Sequence, residues 1–242
     1  MVNAVPRRIE DVEEAMTAFV TARFLQQPFF QTLLEGRWDP AFLRYFASQY
    51  AHYSAHFPRV LGAAIAAMKP RDAWWIPLAD NLWDEAGRGK PGASHAALYR
   101  TFWISVDASA KDWCEDPAQW PRISPAVEKA VAAFLEFFRS ARPLEAMAAV
   151  GFGSEFFAGE VMGTIARGLK HPAYQSRGGI DTRFWDLHAE RDEPRHYALC
   201  REVLLTHASE EDWPHLLAIG QHIAETEARM YGDLFKEGQG HR

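Results

Sequence analysis

The chain has 242 residues, of which 48% are hydrophobic, 13% aromatic and 24% charged. This balance provides ample apolar material for a core and excludes a disordered chain, a collagen and a coiled-coil rod. The net charge of -6 argues against a nucleic-acid-binding protein, which normally carries a basic face.

Cysteine usage and the N-terminal residues indicate the compartment. Cys114 and Cys200 are too few for a disulfide framework. The N-terminal residues turn acidic before a signal-peptide core appears, and no apolar run approaches the roughly 18 residues of a membrane span. We therefore expect a cytoplasmic protein with neither a membrane nor a nucleic acid as partner.

Apolar residues recur at steps of three and four along most of the chain, which predicts amphipathic helices. In chain order the predicted helices cover residues 8–25, 39–68, 72–84, 94–106, 124–141, 143–169, 181–206 and 209–236. Asp39 and Pro40 suit a helix start, and Pro58 is expected to kink that helix without ending it. No strand alternation, repeat or long linker interrupts the pattern. The sequence therefore predicts a single all-α domain over residues 1–242, a bundle of about seven or eight helices.

A metal-binding face is one interpretation of the segment from His188 to His196. On a helix, His188, Asp192 and His196 advance about 40° per step, so they share one face over two turns. Two imidazoles and a carboxylate suit iron, manganese or zinc. The alternative is a solvated charged helix, because four other charged residues lie between them.

Glu85 and His95 are separated by a connection that contains three glycines and a proline. These residues break the helix, so Glu85 ends one helix and His95 opens the next. The fold can then direct both side chains to one point. The alternative is a surface loop with an isolated histidine.

The predicted helix over residues 143–169 contains two candidate carboxylates, Glu155 and Glu160. They lie about 140° apart around the helix, so at most one belongs to a shared site. The neighbours of Glu155 on its face are apolar and mostly small, whereas Glu160 falls beside Glu145 and Arg167. A carboxylate in an apolar stripe needs a compensating cation, which favours Glu155 as a ligand and Glu160 as a surface residue.

Together these segments supply three carboxylates and three histidines from four helices, the inventory of a dimetal site in a bundle core. A ferritin-like version would need Glu-x-x-His on each of two helices. The only such match is Glu193 to His196, and on a regular helix Glu193 lies about 140° from His188. A ferritin-like arrangement is therefore disfavoured.

These residues resemble the haem-oxygenase-like diiron oxidases and oxygenases. The resemblance rests on Glu85 with His95, on Glu155 after Ala-Val-Gly-Phe-Gly-Ser, and on the segment 188–196, and it spans roughly residues 35–205. It extends to the segments 49–58 and 183–188. One departure is that the last histidine follows the aspartate by four residues, where several members have three.

The resemblance implies a haem-oxygenase-like fold of seven helices without haem. It implies two ferrous ions and O2 as co-substrate, with the metal ligands Glu85, His95, Glu155, His188, Asp192 and His196. Members of this family oxidise small molecules, and we expect N-oxygenation of an amine or amino-acid-derived compound in secondary metabolism. Oxidative carbon–carbon cleavage or decarboxylation of an amino acid or fatty acid is the alternative. An external electron donor and a homodimer are left open.

The candidate catalytic residues are Glu155, as a carboxylate bridging the metals, and Tyr53 and His56, as polar groups that orient the substrate. The same scaffold also occurs in metal-free relatives, the thiaminase-like hydrolases and a quinone-forming oxidase. A thiaminase-like enzyme would need a nucleophilic cysteine in the pocket, and Cys200 is expected to serve packing instead. A non-enzymatic binding protein would leave the histidines and carboxylates unexplained.

Overall fold

The computed structural model describes residues 5–175 and 179–239 and shows an all-α protein, as predicted. Its α-helices are α1 Ile9–Val20, α2 Pro28–Leu34, α3 Pro40–Ala66, α4 Asp72–Glu85, α5 His95–Val106, α6 Pro125–Phe138, α7 Pro143–Val150, α8 Phe156–Leu169, α9 Pro172–Gln175, α10 Arg183–Leu187, α11 Glu193–His207 and α12 Trp213–Gln239. None of the helices within the described ranges has the length and apolar character needed to span a membrane.

The long helix α3 begins and continues as its sequence predicts. The side chain of Asp39 accepts a hydrogen bond of 2.8 Å from the backbone N–H of Phe42, and Pro40 occupies the first turn. Pro58 lies inside the helix and does not end it. The sequence did not predict α2, because seven residues are too few for a periodic pattern, yet its Phe29 and Phe30 are fully buried.

Three of the predicted helices contain a π turn within the described residues, and the first of these turns, Thr21–Leu25, follows α1. The other two turns lie in the predicted helices over residues 143–169 and 181–206. The turn Gly151–Glu155 joins α7 to α8, and the turn His188–Asp192 joins α10 to α11. A π turn is hydrogen-bonded from i to i+5, so it holds one residue more than an α-helical turn and shifts the face that later residues present. Both turns carry candidate metal ligands.

The connection between α4 and α5 depends on glycine. Gly87 has a φ of +66° and Gly89 a φ of +71°, a region that side chains disfavour. A Cβ atom on Gly87 would lie 2.4 Å from the backbone carbonyl carbon of Ala93. The chain therefore reverses tightly here, which brings the end of α4 near the start of α5.

The helix α12 packs closely against the Gly151–Glu155 turn. A Cβ atom on Gly153 would lie 2.8 Å from the Cβ of Ile223, and one on Gly220 would lie 2.5 Å from the Cβ of Phe152. The two backbones approach each other through these glycines, and this approach fixes the depth of Glu155 in the core.

We expect Gly153→Ala to destabilise the protein by about 1–3 kcal/mol, because the added methyl group overpacks this contact. Unfolding in urea, followed by circular dichroism, measures the change. Gly62→Ala is the control, since a Cβ on Gly62 in α3 meets no atom within 4 Å. Alanine should stabilise that helix by up to about 1 kcal/mol. Equal stability of the two variants would contradict the close packing.

Candidate metal centre

The first group of candidate ligands lies where α4 ends and α5 begins. Glu85 is the last residue of α4, and His95 is the first residue of α5. Nδ1 of His95 lies 2.9 Å from Oε1 of Glu85, and its ring centroid lies 4.3 Å from that of His188. One ligand atom from each of these three side chains lies within 4.8 Å of the other two. The expected convergence of Glu85 and His95 is therefore present.

The two histidines of this group have opposite electrostatic settings. Burial lowers the pKa of His95, but the carboxylates of Asp192 and Glu85 outweigh it and raise the pKa to about 9. Burial, together with the positive charge of His95, lowers the pKa of His188 to about 4. Nδ1 of His188 donates a hydrogen bond of 2.7 Å to the carbonyl oxygen of Phe184. This bond leaves Nε2 of a neutral imidazole available as a metal ligand.

Asp192 lies beside the first group, against His95. Its Oδ2 is 3.2 Å from Nε2 of His95, and its Oδ1 accepts a hydrogen bond of 2.8 Å from Nε of Arg191. Burial raises the pKa of Asp192, but His95 and Arg191 outweigh it and hold the pKa well below its usual range. Asp192 shares the site without joining either of the close groups of three ligands.

The second group consists of Glu155, Glu193 and His196, which are all buried and offer one ligand atom each within 4.8 Å of one another. Nδ1 of His196 lies 3.5 Å from Oε2 of Glu155, whose Oε1 accepts a hydrogen bond of 2.8 Å from Nδ2 of Asn81. Burial and the charge of Glu155 raise the pKa of Glu193 well above its usual value. Burial also acts to raise the pKa of Glu155, but the neighbouring Glu193 and His196, together with the hydrogen bond from Asn81, hold it below its usual value.

The position of Glu193 corrects the helical-face argument made from the sequence. A regular helix would turn Glu193 about 140° away from His188. In the structure both side chains line one cavity. The His188–Asp192 π turn is the reason, because i→i+5 hydrogen bonding brings residues five apart onto the same side. The sequence does not point to Glu193 as a ligand, because no residue type marks a π turn.

A network of charged residues contacts His196 on the side of its ring that faces away from Glu155. Its Nε2 lies 3.2 Å from Oδ2 of Asp84, on α4. Arg195 bonds both Asp84 and Asp80, and Nε of Arg88 donates a hydrogen bond of 2.5 Å to Oδ1 of Asp84. A carboxylate on the second nitrogen of a ligand histidine fixes the orientation of its ring. No spacing in the sequence links these residues to His196.

A cavity lies against both groups, and its wall includes Glu85, His188 and Glu193. The rest of the wall is largely aromatic or small, and it consists of Tyr50, Tyr53, Ser54, Phe57, Ser154, Ala158, Met162, Phe184 and Glu227. Tyr53, a predicted pocket residue, is therefore in place. Its buried hydroxyl makes no hydrogen bond with any residue in the described part of the chain.

His56 is not among the residues that line this cavity. Its Nδ1 donates a hydrogen bond of 2.7 Å to the carbonyl oxygen of His52, one turn earlier in α3. The ring is thus directed back along its own helix. The structure brings Tyr53 to the cavity and leaves His56 outside the wall.

The two mid-helix carboxylates differ in burial in the expected direction. Glu155 is 1% exposed and belongs to the second group. The side chain of Glu160 is 56% exposed, and its Oε1 lies 3.3 Å from an Nη atom of Arg167. Glu160 is therefore a surface ion-pair residue.

The donors of both groups suit a metal ion. Carboxylate oxygens and imidazole nitrogens are ligands that iron, manganese and zinc accept. Oε2 of Glu155 and Oδ2 of Asp192 are buried and lack a partner with hydrogen-bond geometry among residues 5–175 and 179–239. Leaving such acceptors unsatisfied costs about 1–3 kcal/mol each, more when they are charged, and a bound cation removes this cost.

We expect Glu193→Gln to raise the melting temperature of the metal-free protein at neutral pH. The pKa of Glu193 is raised above 4.5 in the folded state, so stability is lost as the pH rises from about 4.5 toward the raised value. Glutamine cannot be deprotonated, so the stability of the variant does not fall with pH for this reason. A gain of about 1 kcal/mol corresponds to about 2–4 °C in a chain of this size.

Calorimetry in the presence of a chelator, from about pH 5 to pH 8, measures this difference. The gap between Glu193→Gln and the wild type should widen as the pH rises. Glu160→Gln serves as the control, because Glu160 lies at the surface. A gap that stays constant with pH would contradict the raised pKa of Glu193.

Solved structures with similar folds include several of unknown function. A domain of unknown function with a haem-oxygenase-like fold, from Shewanella denitrificans OS217, has a TM-score of 0.74 at 18% identity, over 96% of this chain and 94% of that one. A TenA homologue from Pseudomonas syringae pv. tomato has a TM-score of 0.70 at 17% identity, over 100% and 96%. A CADD-like protein of unknown function from Nostoc punctiforme PCC 73102 has a TM-score of 0.72 at 14% identity, over 95% and 97%.

These likenesses show that the fold is haem-oxygenase-like, as the resemblance implied. No curated protein matches the chain. Residues 44–227 match the family described as iron-containing redox enzyme, and this range spans α3 to α12 and includes every candidate ligand named above. The chain belongs to the iron-containing redox enzyme family.

Proposed function

We propose that this protein is a non-haem diiron enzyme that uses O2 to oxidise a small molecule. The proposal rests on two groups of candidate ligands that border one cavity. The first group is Glu85, His95 and His188, and the second is formed by residues 155, 193 and 196. Each group combines carboxylate and imidazole donors, and the family is iron-containing. Ferrous iron bound there would supply electrons to O2.

The protein's own part is to orient ligands and exclude water. Phe184 fixes the ring of His188 through its carbonyl oxygen, and Asp84 does so for His196. Asn81 fixes one oxygen of Glu155, whose second oxygen stays available. Glu155 would serve both groups as a shared carboxylate. Asp192, with its Oδ2 against His95, would complete the first group or orient its histidine.

For the reaction, we favour N-oxygenation of an amine or amino-acid-derived substrate. One oxygen atom of O2 would enter an N–H bond, and the other would leave as water after taking up two protons. Two electrons come from an external reductant. The unsatisfied hydroxyl of Tyr53 provides a hydrogen-bonding group in the cavity for a polar substrate. Oxidative carbon–carbon cleavage is the second outcome that the experiment below distinguishes.

The burial of the cysteines supports the iron-dependent reaction over a thiaminase-like one. Cys200 is 1% exposed and packs against Gly151, and burial raises the pKa of its thiol well above the usual value. Cys114 is also buried, with a raised pKa. A nucleophilic thiol needs exposure and a lowered pKa. Neither residue lines the cavity.

We expect the wild type, loaded anaerobically with Fe(II) and desalted, to retain up to two iron ions per chain. Glu155→Ala should retain at most about half as much, because Glu155 is the buried carboxylate of the second group. Glu160→Ala should retain the wild-type amount, since Glu160 is a surface residue. Iron is measured by mass spectrometry of the metal content. Iron near zero in the wild type, or the reverse ranking of the variants, would contradict the proposal.

The reaction type is tested with the iron-loaded protein, a chemical reductant and 18O2. Panels of amines, amino acids and fatty acids are incubated and analysed by mass spectrometry. We expect one labelled oxygen atom on nitrogen in a product amine. Two other outcomes would contradict N-oxygenation and support oxidative carbon–carbon cleavage. One is loss of CO2 from a fatty acid with formation of an alkene, and the other is a cleaved amino acid without N-oxygenation.

A further inference from the structure

Glu227 is a buried carboxyl group that the two candidate metal groups do not use. It lies on α12, is 5% exposed and forms part of the cavity wall. The hydroxyl of Tyr231 donates a hydrogen bond of 3.2 Å to its Oε1. Tyr53 belongs to the same wall, and its buried hydroxyl has no hydrogen-bond partner in the described residues. A carboxyl group and an unsatisfied hydroxyl therefore border the same space.

The charge around Glu227 depends on the residues that line the cavity, as far as residues 5–175 and 179–239 show them. Among the described residues, the cavity wall has no lysine or arginine. Burial raises the pKa of Glu227 to about 7, with Glu155 adding to the rise, whereas the hydrogen bond from Tyr231 and the nearby hydroxyl of Tyr53 oppose it. A buried carboxylate of this kind is costly unless a cation pairs with it.

Bound iron would not provide that cation. Two ferrous ions carry four positive charges, which the carboxylates of Glu85, Glu155, Glu193 and Asp192 match in number. The negative charge of Glu227, a third acidic residue of the cavity wall, would then remain without a compensating positive charge. A positively charged ligand would compensate it, whereas a ligand carboxylate would meet a second negative charge and no basic side chain.

The rest of the wall suits the flanking part of an organic cation. Tyr50, Phe57 and Phe184 line the cavity, and aromatic faces attract a cation or cover an alkyl chain. Met162 and Ala158 add apolar surface. The cavity thus combines one anionic group and one hydroxyl with apolar sides.

We propose that Glu227 and Tyr53 bind a primary ammonium group of the substrate, so that the cavity selects organic amines over carboxylates and alcohols of the same length. One N–H of the ammonium group donates to a carboxylate oxygen of Glu227 and another to the hydroxyl oxygen of Tyr53. This inference rests on the proposed function, because it assigns the substrate class of the same cavity.

The test is a binding measurement on the iron-loaded protein under anaerobic conditions, by titration calorimetry. The probes are ethylammonium, acetate and ethanol, which share one short chain and differ in the head group. We expect ethylammonium to bind at least about tenfold more tightly than the other two. Glu227→Gln should weaken its binding by about tenfold and leave ethanol unchanged, and Tyr53→Phe should weaken it several-fold.

Glu225→Gln is the matched control, because Glu225 lies two residues earlier on α12 and pairs with Arg23 and Arg229 away from the cavity. It should bind ethylammonium like the wild type. Equal binding of the three probes, or full binding of ethylammonium by Tyr53→Phe and Glu227→Gln, would overturn the assignment. Iron is measured on the same samples. Two irons without ammonium preference would refute only this inference, whereas ammonium preference without iron would refute only the diiron proposal.

Discussion

Two carboxyl groups in contact inside an apolar bundle set the conditions for the rest of the structure. Glu155 and Glu193 are buried together, and Glu193 has a raised pKa because burial and the charge of Glu155 disfavour its ionised form. Removing two such charges from water costs several kcal/mol each unless cations or donors compensate. His196 and Asn81 supply part of that compensation. A metal ion bound there, as proposed above, would supply the remainder.

The backbone keeps these carboxyl groups in place through two π turns. One turn ends at Glu155 and the other at Asp192, directly before Glu193. Each turn interrupts the regular hydrogen bonding of a long helix, which is less favourable than a continuous α-helix. The cost is tolerated because α12 packs tightly on the first turn through Gly153 and Gly220. The packing of α12 on one side of this turn thus stabilises the irregular backbone, and the ligand Glu155 lies at the end of the turn.

The fold class and the long helices could be predicted from hydrophobic periodicity, because an apolar stripe repeats over many turns of a long helix. The convergence of Glu85 with His95 followed from the glycines between them, and the burial of Glu155 followed from its apolar face. Glu193 was missed because one extra residue in a turn changes the helical phase without changing composition. The sequence does not mark Glu227 as a cavity residue, since a buried carboxyl group and a solvated one look alike in a charged helix.

The histidines of the two candidate metal groups are oriented by different kinds of contact. His188 is tied to a backbone carbonyl inside the fold, whereas His196 is tied to Asp84 and, through it, to Arg195 and Arg88. The side chains of these arginines are 38% and 44% exposed, so dissolved ions reach and screen them. Ionic strength therefore acts on the contacts that orient His196, whereas the hydrogen bond that orients His188 is buried. In concentrated salt, the ring of His196 would be less firmly oriented, whereas the ring of His188 would keep its orientation.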